Sequence, residues 1–468
     1  MAYVFYDTET TGTNWQFDQI LQFAAVKVDA DLQIVNEFQT QSRLLPHVVP
    51  NPEAMKVNRL TPAQIANPAL PSHYQMVRQL DARLRGWGRS MFMGFNNLGL
   101  DENILRAAFY KTLHRPYLTV MDGNSRTDLL KLARAAHLLA PGTLRFNTSD
   151  YGAPLFSLGE LARANGFNNP HAHNARADLD ATLHIARILM NEAPGVWNDF
   201  MRFAQKSTVL QHIQDEQIFG LAEFYKGRSY SWLVTRIGTS GRDKNVHYVF
   251  DLQFDPADFA GLSHEELVER LAEMPRPVKK LKVNGCPVLF AIDDAPSGTE
   301  ARLLNDEELE RRVMRLRDDP MLAARLVAAR DASLPIYPPS PHVEQQIFDA
   351  FTAVNDLAVL EQFHAAPWEY RQAILASLQD GRLRLLGEEL IYLESGGVLS
   401  QERRAFHADR HRRRVLGLDL FTPCMTLPAA IELADVMIAL AGPDDLAHLQ
   451  DHRAYLCHWR NTLVSVIA

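Results

Sequence analysis

Asp7-Thr8-Glu9 closes an apolar run that begins at Tyr3. Side chains at i and i+2 leave the same face of a strand, so these two carboxylates can reach one ion. Hard oxygen donors select Mg²⁺ or Mn²⁺ over zinc. Standing alone, the pair would also serve as an ordinary polar strand end. Thr10-Thr11-Gly12-Thr13 follows, a small-residue turn that lets backbone approach a substrate closely. A third carboxylate, Asp101, comes after Gly94-Phe95-Asn96-Asn97-Leu98-Gly99-Leu100 and ahead of a helical pattern. The helix dipole favours negative charge there, and N-capping is its other role. The last group is His173-Asn174-Ala175-Arg176-Ala177-Asp178. Residues five apart on a helix lie about 140° apart around its axis. His173 and Asp178 therefore converge only if His173 lies on the approach to a helix and Asp178 in its first turns. Pro170 supports a helix start beyond it. A histidine titrating near neutrality suits a general base; its other reading is a partner for a nearby carboxylate. His171 and His173 could imitate a zinc pair, but no third nitrogen or sulfur ligand is placed for one.

Asp7-Thr8-Glu9-Thr10-Thr11-Gly12, then Asp101 behind its asparagine loop, then His173 and Asp178, resemble in order the motifs of the DEDD superfamily of 3′→5′ exonucleases, in its histidine-bearing (DEDDh) subclass. Other segments are similar to the bacterial exodeoxyribonuclease I family: Gly94–Asn97, Phe109-Tyr110, Arg115-Pro116-Tyr117, Asn124–Leu130 and Asn284–Leu289. The resemblance covers essentially the whole chain. It implies Mg²⁺-dependent, 3′→5′ removal of 5′-mononucleotides from single-stranded DNA, in repair and recombination, with two ions and with Mn²⁺ as a substitute. Ions about 3.5–4 Å apart stabilise the attacking and leaving oxygens of an in-line displacement. By resemblance, Asp7, Glu9 and Asp178 hold the ion that delivers the water. Asp7 and Asp101 hold the second ion, and His173 accepts the water's proton. Glu9, Arg106, Tyr117, Arg134 and Ser157 are the implied substrate contacts, and the single-strand-binding protein is the implied partner. One departure concerns Phe156-Ser157-Leu158, where the family usually has a basic residue in place of Ser157; Ser157 with Glu160 also spells a capping box.

These side chains need elements to hold them. Residues 3–8, 20–29 and 37–44 read as three strands of an antiparallel meander. A helix over 72–87, a strand over 90–95, and helices over 102–113, 126–139, 157–165 and 175–191 follow. This pattern predicts an α/β, ribonuclease-H-like domain with a mixed sheet over residues 1–197. Short strands over 219–224, 231–237, 246–252, 279–283 and 287–291, with a charged helix over 307–317, predict an SH3-like β module over 198–341. Tyr225-Lys226-Gly227-Arg228-Ser229-Tyr230-Ser231-Trp232 interleaves cations with aromatics and offers that module a DNA-facing loop. Pro335, Pro338, Pro339 and Pro341 mark a linker. An all-helical region over 342–468 completes the expected architecture, beginning with a helix over 343–351. The basic run from Arg403 to Arg414 reads as a solvated helix face.

Composition bounds the rest. With 47% hydrophobic and 22% charged residues, the chain is that of an ordinary globular protein. Its net charge of −8 argues against coating nucleic acid by charge alone. The charge is uneven: residues 1–197 hold 18 Lys+Arg against 17 Asp+Glu despite the acid cluster, and residues 100–145 hold seven against four. No run approaches the roughly 18 apolar residues that span a bilayer, and Cys286, Cys424 and Cys457 form no Cys-x-x-Cys pair. A cytoplasmic monomer that touches no membrane is the expectation. Two other readings remain: a 3′→5′ exoribonuclease, since only contacts to the 2′-hydroxyl separate RNA from DNA, and a catalytically inactive single-strand nucleic-acid-binding scaffold, which would be expected to lack a metal carboxylate.

Overall fold

The computed structural model describes residues 2–167, 175–335, 337–419 and 423–465. A five-stranded sheet of order β3-β2-β1-β4-β5 lies at its N-terminal end, built from β1 (Ala2–Thr10), β2 (Ile20–Val28), β3 (Ile34–Gln41), β4 (Ser90–Gly94) and β5 (Ser125–Asp128). β1–β2 and β2–β3 are antiparallel, whereas β1–β4 and β4–β5 are parallel, so the sheet is mixed as expected. Both faces of β1 are covered. Val4 and Tyr6 pack with the helices His73–Gly86 and Asp101–Lys111, and Phe5 packs with Leu129–Leu139 and Ala175–Glu192.

Two local readings are corrected. Residues 126–128 belong to strand β5, not to the helix that follows; Asp128 ends the strand and caps Leu129–Leu139 by accepting from the Leu130 amide at 2.9 Å. The third strand runs over Ile34–Gln41 rather than 37–44, because the Ser42 amide turns back to the Leu21 carbonyl and the Leu44 amide to that of Ile65.

The middle region is an antiparallel sheet of order β10-β6-β7-β8-β9: β6 (Phe219–Tyr225), β7 (Arg228–Thr239), β8 (Val246–Asp251), β9 (Val278–Lys282) and β10 (Val288–Phe290). β7 starts three residues before the predicted strand, because Lys226 and Gly227 adopt φ of 48° and 74° and close a tight hairpin. This region docks on the first sheet through the segment 284–286. There the Cys286 thiol donates to the Arg126 carbonyl at 3.0 Å and the Lys131 ammonium to the Gly285 carbonyl at 2.7 Å.

The C-terminal region is helical, from Val354–Ala365 to Pro443–Ser465. The predicted helix over 343–351 is instead a 3₁₀ segment, Val343–Phe348. Arg382 binds the Gln346 and Ala350 carbonyls, which a longer helix would use internally. The basic run is also not a solvated face. Arg410 donates to Glu389 at 2.5 Å and to Glu344 at 2.9 Å, Arg414 is buried against Glu344, and His407 and His411 are buried beside Glu388 and Glu389. Only part of it, including Arg412 and Arg413, faces outward, paired with Asp409 and Asp419.

Candidate active site

β1 delivers Asp7 and Glu9 as strand alternation requires, opposite Ala24 and Gln22 of β2. Two glycines make room around it. A Cβ on Gly94 would stand 2.6 Å from the Tyr6 carbonyl, so only glycine lets β4 end against β1. A Cβ on Gly12 would meet the Asp18 carboxylate at 2.5 Å, and that carboxylate shapes the turn by accepting from Thr11 Oγ1 and the Asn14 amide. Asp178 comes from the first turn of Ala175–Glu192, a helix packed directly on β1. Asp7, Glu9 and Asp178 each present a carboxylate oxygen such that all three atoms lie within 4.8 Å of one another.

Asp101 opens its helix rather than capping it; the cap position is Leu100. One Asp101 oxygen accepts from the Thr8 amide at 3.1 Å and the Thr8 hydroxyl at 2.5 Å. The loop that carries it is fastened by Asp128, which accepts from the Asn96 amide at 3.0 Å and the Leu98 amide at 3.2 Å. His173 and His171 lie outside the described residues.

Burial is the largest influence on these acids. It pushes Asp7 well above the usual carboxylate range, assisted by the charges of Asp101, Glu9 and Asp178. Glu9 rises to about 8 through burial, then Asp178 and Asp101. Asp101 rises to about 7 by burial, opposed by its bonds from Thr8. Carboxylates crowded in this way repel one another as anions, and a divalent cation relieves both desolvation and repulsion. An all-oxygen donor set of this spacing fits a hard divalent ion.

Next to the acids stands a second polar cluster that the sequence did not reveal. Fully buried Glu102 accepts from Tyr6 Oη at 2.8 Å and Thr119 Oγ1 at 2.6 Å. It also pairs with Arg106 and Arg126, both at 2.8 Å. Arg106 lies over the Tyr117 ring at 5.2 Å, so two predicted substrate contacts form one unit, extended by Phe351 at 5.5 Å from Tyr117. Arg134 is placed over the Phe156 ring at 5.5 Å. Ser157 is exposed at the N-terminus of Leu158–Ala164 but makes no capping bond. Glu160 is drawn instead to Asn147 and Arg163, so the predicted capping box does not form. In the middle sheet, Tyr230 and Trp232 stack at 6.1 Å with planes 7° apart, and Lys279 covers Trp232 at 4.1 Å.

The chain is similar to known proteins over most of its length. Residues 4–186 match the Exonuclease (RNase T) family. Exodeoxyribonuclease I of Escherichia coli is 26% identical over 377 residues, covering 77% of this chain and 78% of the relative. That of Haemophilus influenzae is 28% identical over 326 residues, covering 66% and 68%. Among solved structures, E. coli Exonuclease I in complex with a dA16 oligonucleotide shares the fold with a TM-score of 0.83 at 23% identity, over 98% of this chain and 99% of that one. The zinc-ion-bound form of the E. coli complex with single-stranded DNA gives 0.82 at 22%, over 99% of each chain. The chain thus carries an exonuclease domain at its N-terminus and, over most of its length, is a homologue of the exodeoxyribonuclease I enzymes.

Proposed function

We propose that this chain removes 5′-mononucleotides from the 3′ end of single-stranded DNA, and that Asp7, Glu9, Asp101 and Asp178 are its metal-binding carboxylates. The observation that carries the reading is the convergence of Asp7, Glu9 and Asp178 within 4.8 Å on one side of β1. When bound there, divalent ions (Mg²⁺, with Mn²⁺ as a substitute) supply Lewis-acid stabilisation of the attacking and leaving oxygens. The chain's own groups do the remainder. Thr8 holds the Asp101 carboxylate in one orientation. A ring nitrogen of His173 accepts the proton of the attacking water. Arg106, with Tyr117 beneath it, Arg134 and the helix N-terminus at Ser157 hold the terminal nucleotides. Tyr230 and Trp232 offer bases a stacking surface farther along the strand.

The relatives' names and the oligonucleotide complexes of the E. coli structures favour DNA over RNA as substrate. A catalytically inactive scaffold is disfavoured by the intact carboxylate set. The same reading places the protein in DNA repair and recombination, as a cytoplasmic monomer that meets the single-strand-binding protein. It divides the chain into units 1–197, 198–341 and 342–468, the second SH3-like. The cysteines are free, and no helix among the described residues is long and apolar enough to cross a membrane.

The test is digestion of matched DNA and RNA oligomers, labelled at either end, by the wild-type chain and Asp7→Asn with Mg²⁺. Mononucleotides should leave the 3′ end of single-stranded DNA, and Asp7→Asn should bind without cleaving. Release from the 5′ end, preference for RNA, or retained cleavage by the variant would overturn the proposal.

A further inference from the structure

Away from the carboxylates, His47 of the exonuclease domain meets Glu389 and His411 of two C-terminal helices, Gly381–Ser395 and Gln401–Leu416. All three residues are buried. His411 Nε2 lies 2.8 Å and His47 Nε2 3.6 Å from the same oxygen, Glu389 Oε1. The two rings face each other at 4.1 Å with planes 27° apart, and the three donor atoms fall within 4.8 Å of one another. Two imidazole nitrogens and one carboxylate oxygen gathered this closely form a donor set suited to a borderline-soft ion and unsuited to Mg²⁺.

The charged groups around this donor set have partners of their own. Arg410 occupies the other Glu389 oxygen, so Oε1 faces the rings alone. Glu344 takes Arg414 and the second nitrogen of Arg410, and the Lys111 ammonium donates to the carbonyls of Gln16 and Asp18. His47 Nδ1 is buried with no hydrogen-bond partner among the described residues. His47 borders a cavity of about 40 Å³, also lined by Lys111, Glu344 and Arg414. A water there would accept the Nδ1 hydrogen, the outer-shell support that a metal-bound histidine uses.

We propose that His47, Glu389 and His411 form a Zn²⁺ site that clasps the exonuclease domain to the helical C-terminal region, separate from the catalytic carboxylates. An ion there would cross-link segments more than 300 residues apart, and because it binds only the folded arrangement it would raise thermal stability.

The experiment titrates Zn²⁺ into the full chain carrying Asp7→Asn and Asp178→Asn, which disables the carboxylate site, with Co²⁺ as a spectroscopic substitute. The expected result is about one ion bound per chain and a melting temperature raised by several degrees. Visible Co²⁺ absorption should be that of a four-coordinate nitrogen–oxygen site. Adding His47→Gln or His411→Gln should abolish all three signals. His47→Gln in the otherwise wild-type chain should keep Mg²⁺-dependent cleavage, which shows that it folds. Absence of binding in the double-Asn chain, or binding indifferent to both histidine substitutions, would overturn the proposal. Failure of nuclease activity in the wild-type chain would leave these readouts intact and bear only on the proposed function.

Discussion

Thr8 directs both of its hydrogen-bond donors, the backbone amide at 3.1 Å and the side-chain hydroxyl at 2.5 Å, to a single oxygen of Asp101. The Asp101 charge is felt by Asp7 and by Glu9, both of which it pushes upward. A residue between two proposed ligands on β1 thus orients a third from another element. Thr8→Val preserves shape and removes only the hydroxyl. Cleavage should fall about 10–100-fold, as for other outer-shell partners of metal ligands. Affinity for single-stranded DNA should be unchanged, and single-turnover assays beside binding isotherms measure the two separately.

Glu102 holds four partners without exposing any surface: Tyr6, Thr119, Arg106 and Arg126. Replacing it with alanine strands two guanidiniums in a poorly solvated place. A loss of about 3–5 kcal/mol is expected when one partner of a buried ion pair is removed. Urea unfolding followed by circular dichroism reads this directly, and Glu102→Gln, which keeps acceptor and shape, should lose less.

The raised carboxylates make the metal-free protein sensitive to alkali. Glu9 goes from an ordinary 4.5 to about 8, and Asp101 from 3.8 to about 7. Groups raised on folding bind protons more tightly in the native state, so their contribution is complete below the unfolded value and disappears as pH climbs through the folded one. In EDTA, the melting temperature should therefore decline between about pH 4.5 and pH 8. The increment from added Mg²⁺ should grow over the same interval. Scanning calorimetry with and without Mg²⁺ tests this, and Glu9→Gln should flatten the metal-free slope.

Tyr230 is 40% exposed and stacked with Trp232, whose ring Lys279 covers. Tyr230→Ala should weaken binding of long single strands on the order of tenfold, since a stacked base contributes about 1–3 kcal/mol. Hydrolysis of a short oligomer confined to the first domain should be unaffected. Fluorescence anisotropy with oligomers of increasing length separates the two.

What could be read from the chain in advance follows the range of the forces involved. Asp7 and Glu9 were visible because strand alternation is local, and Asp178 because it lies early in a helical pattern. The mixed sheet and the helical C-terminal region followed from periodicity as well. Glu102 and Asp128 were not visible, because what distinguishes them is their partners: Tyr6 is 96 residues from Glu102, and Asn96 is 32 from Asp128. The same reason explains the basic run, whose acids Glu344, Glu388 and Glu389 sit on other segments. It also explains Ser157, whose expected partner Glu160 was taken by Asn147, 13 residues away. Strand β5 escaped notice since Arg126-Thr127-Asp128 carries no apolar alternation; parallel pairing with β4 makes it a strand.

β1 is the first element of the chain, yet its carboxylates acquire their third companion only from the helix Ala175–Glu192. Chains are synthesised from the N-terminus, at about 5–20 residues per second. A ribosome must therefore extrude nearly the whole first domain before Asp7, Glu9 and Asp178 can meet. Until then a nascent chain, even beside nucleic acid, holds an incomplete set of the proposed metal donors, and the order of translation itself delays the moment at which the cluster can form.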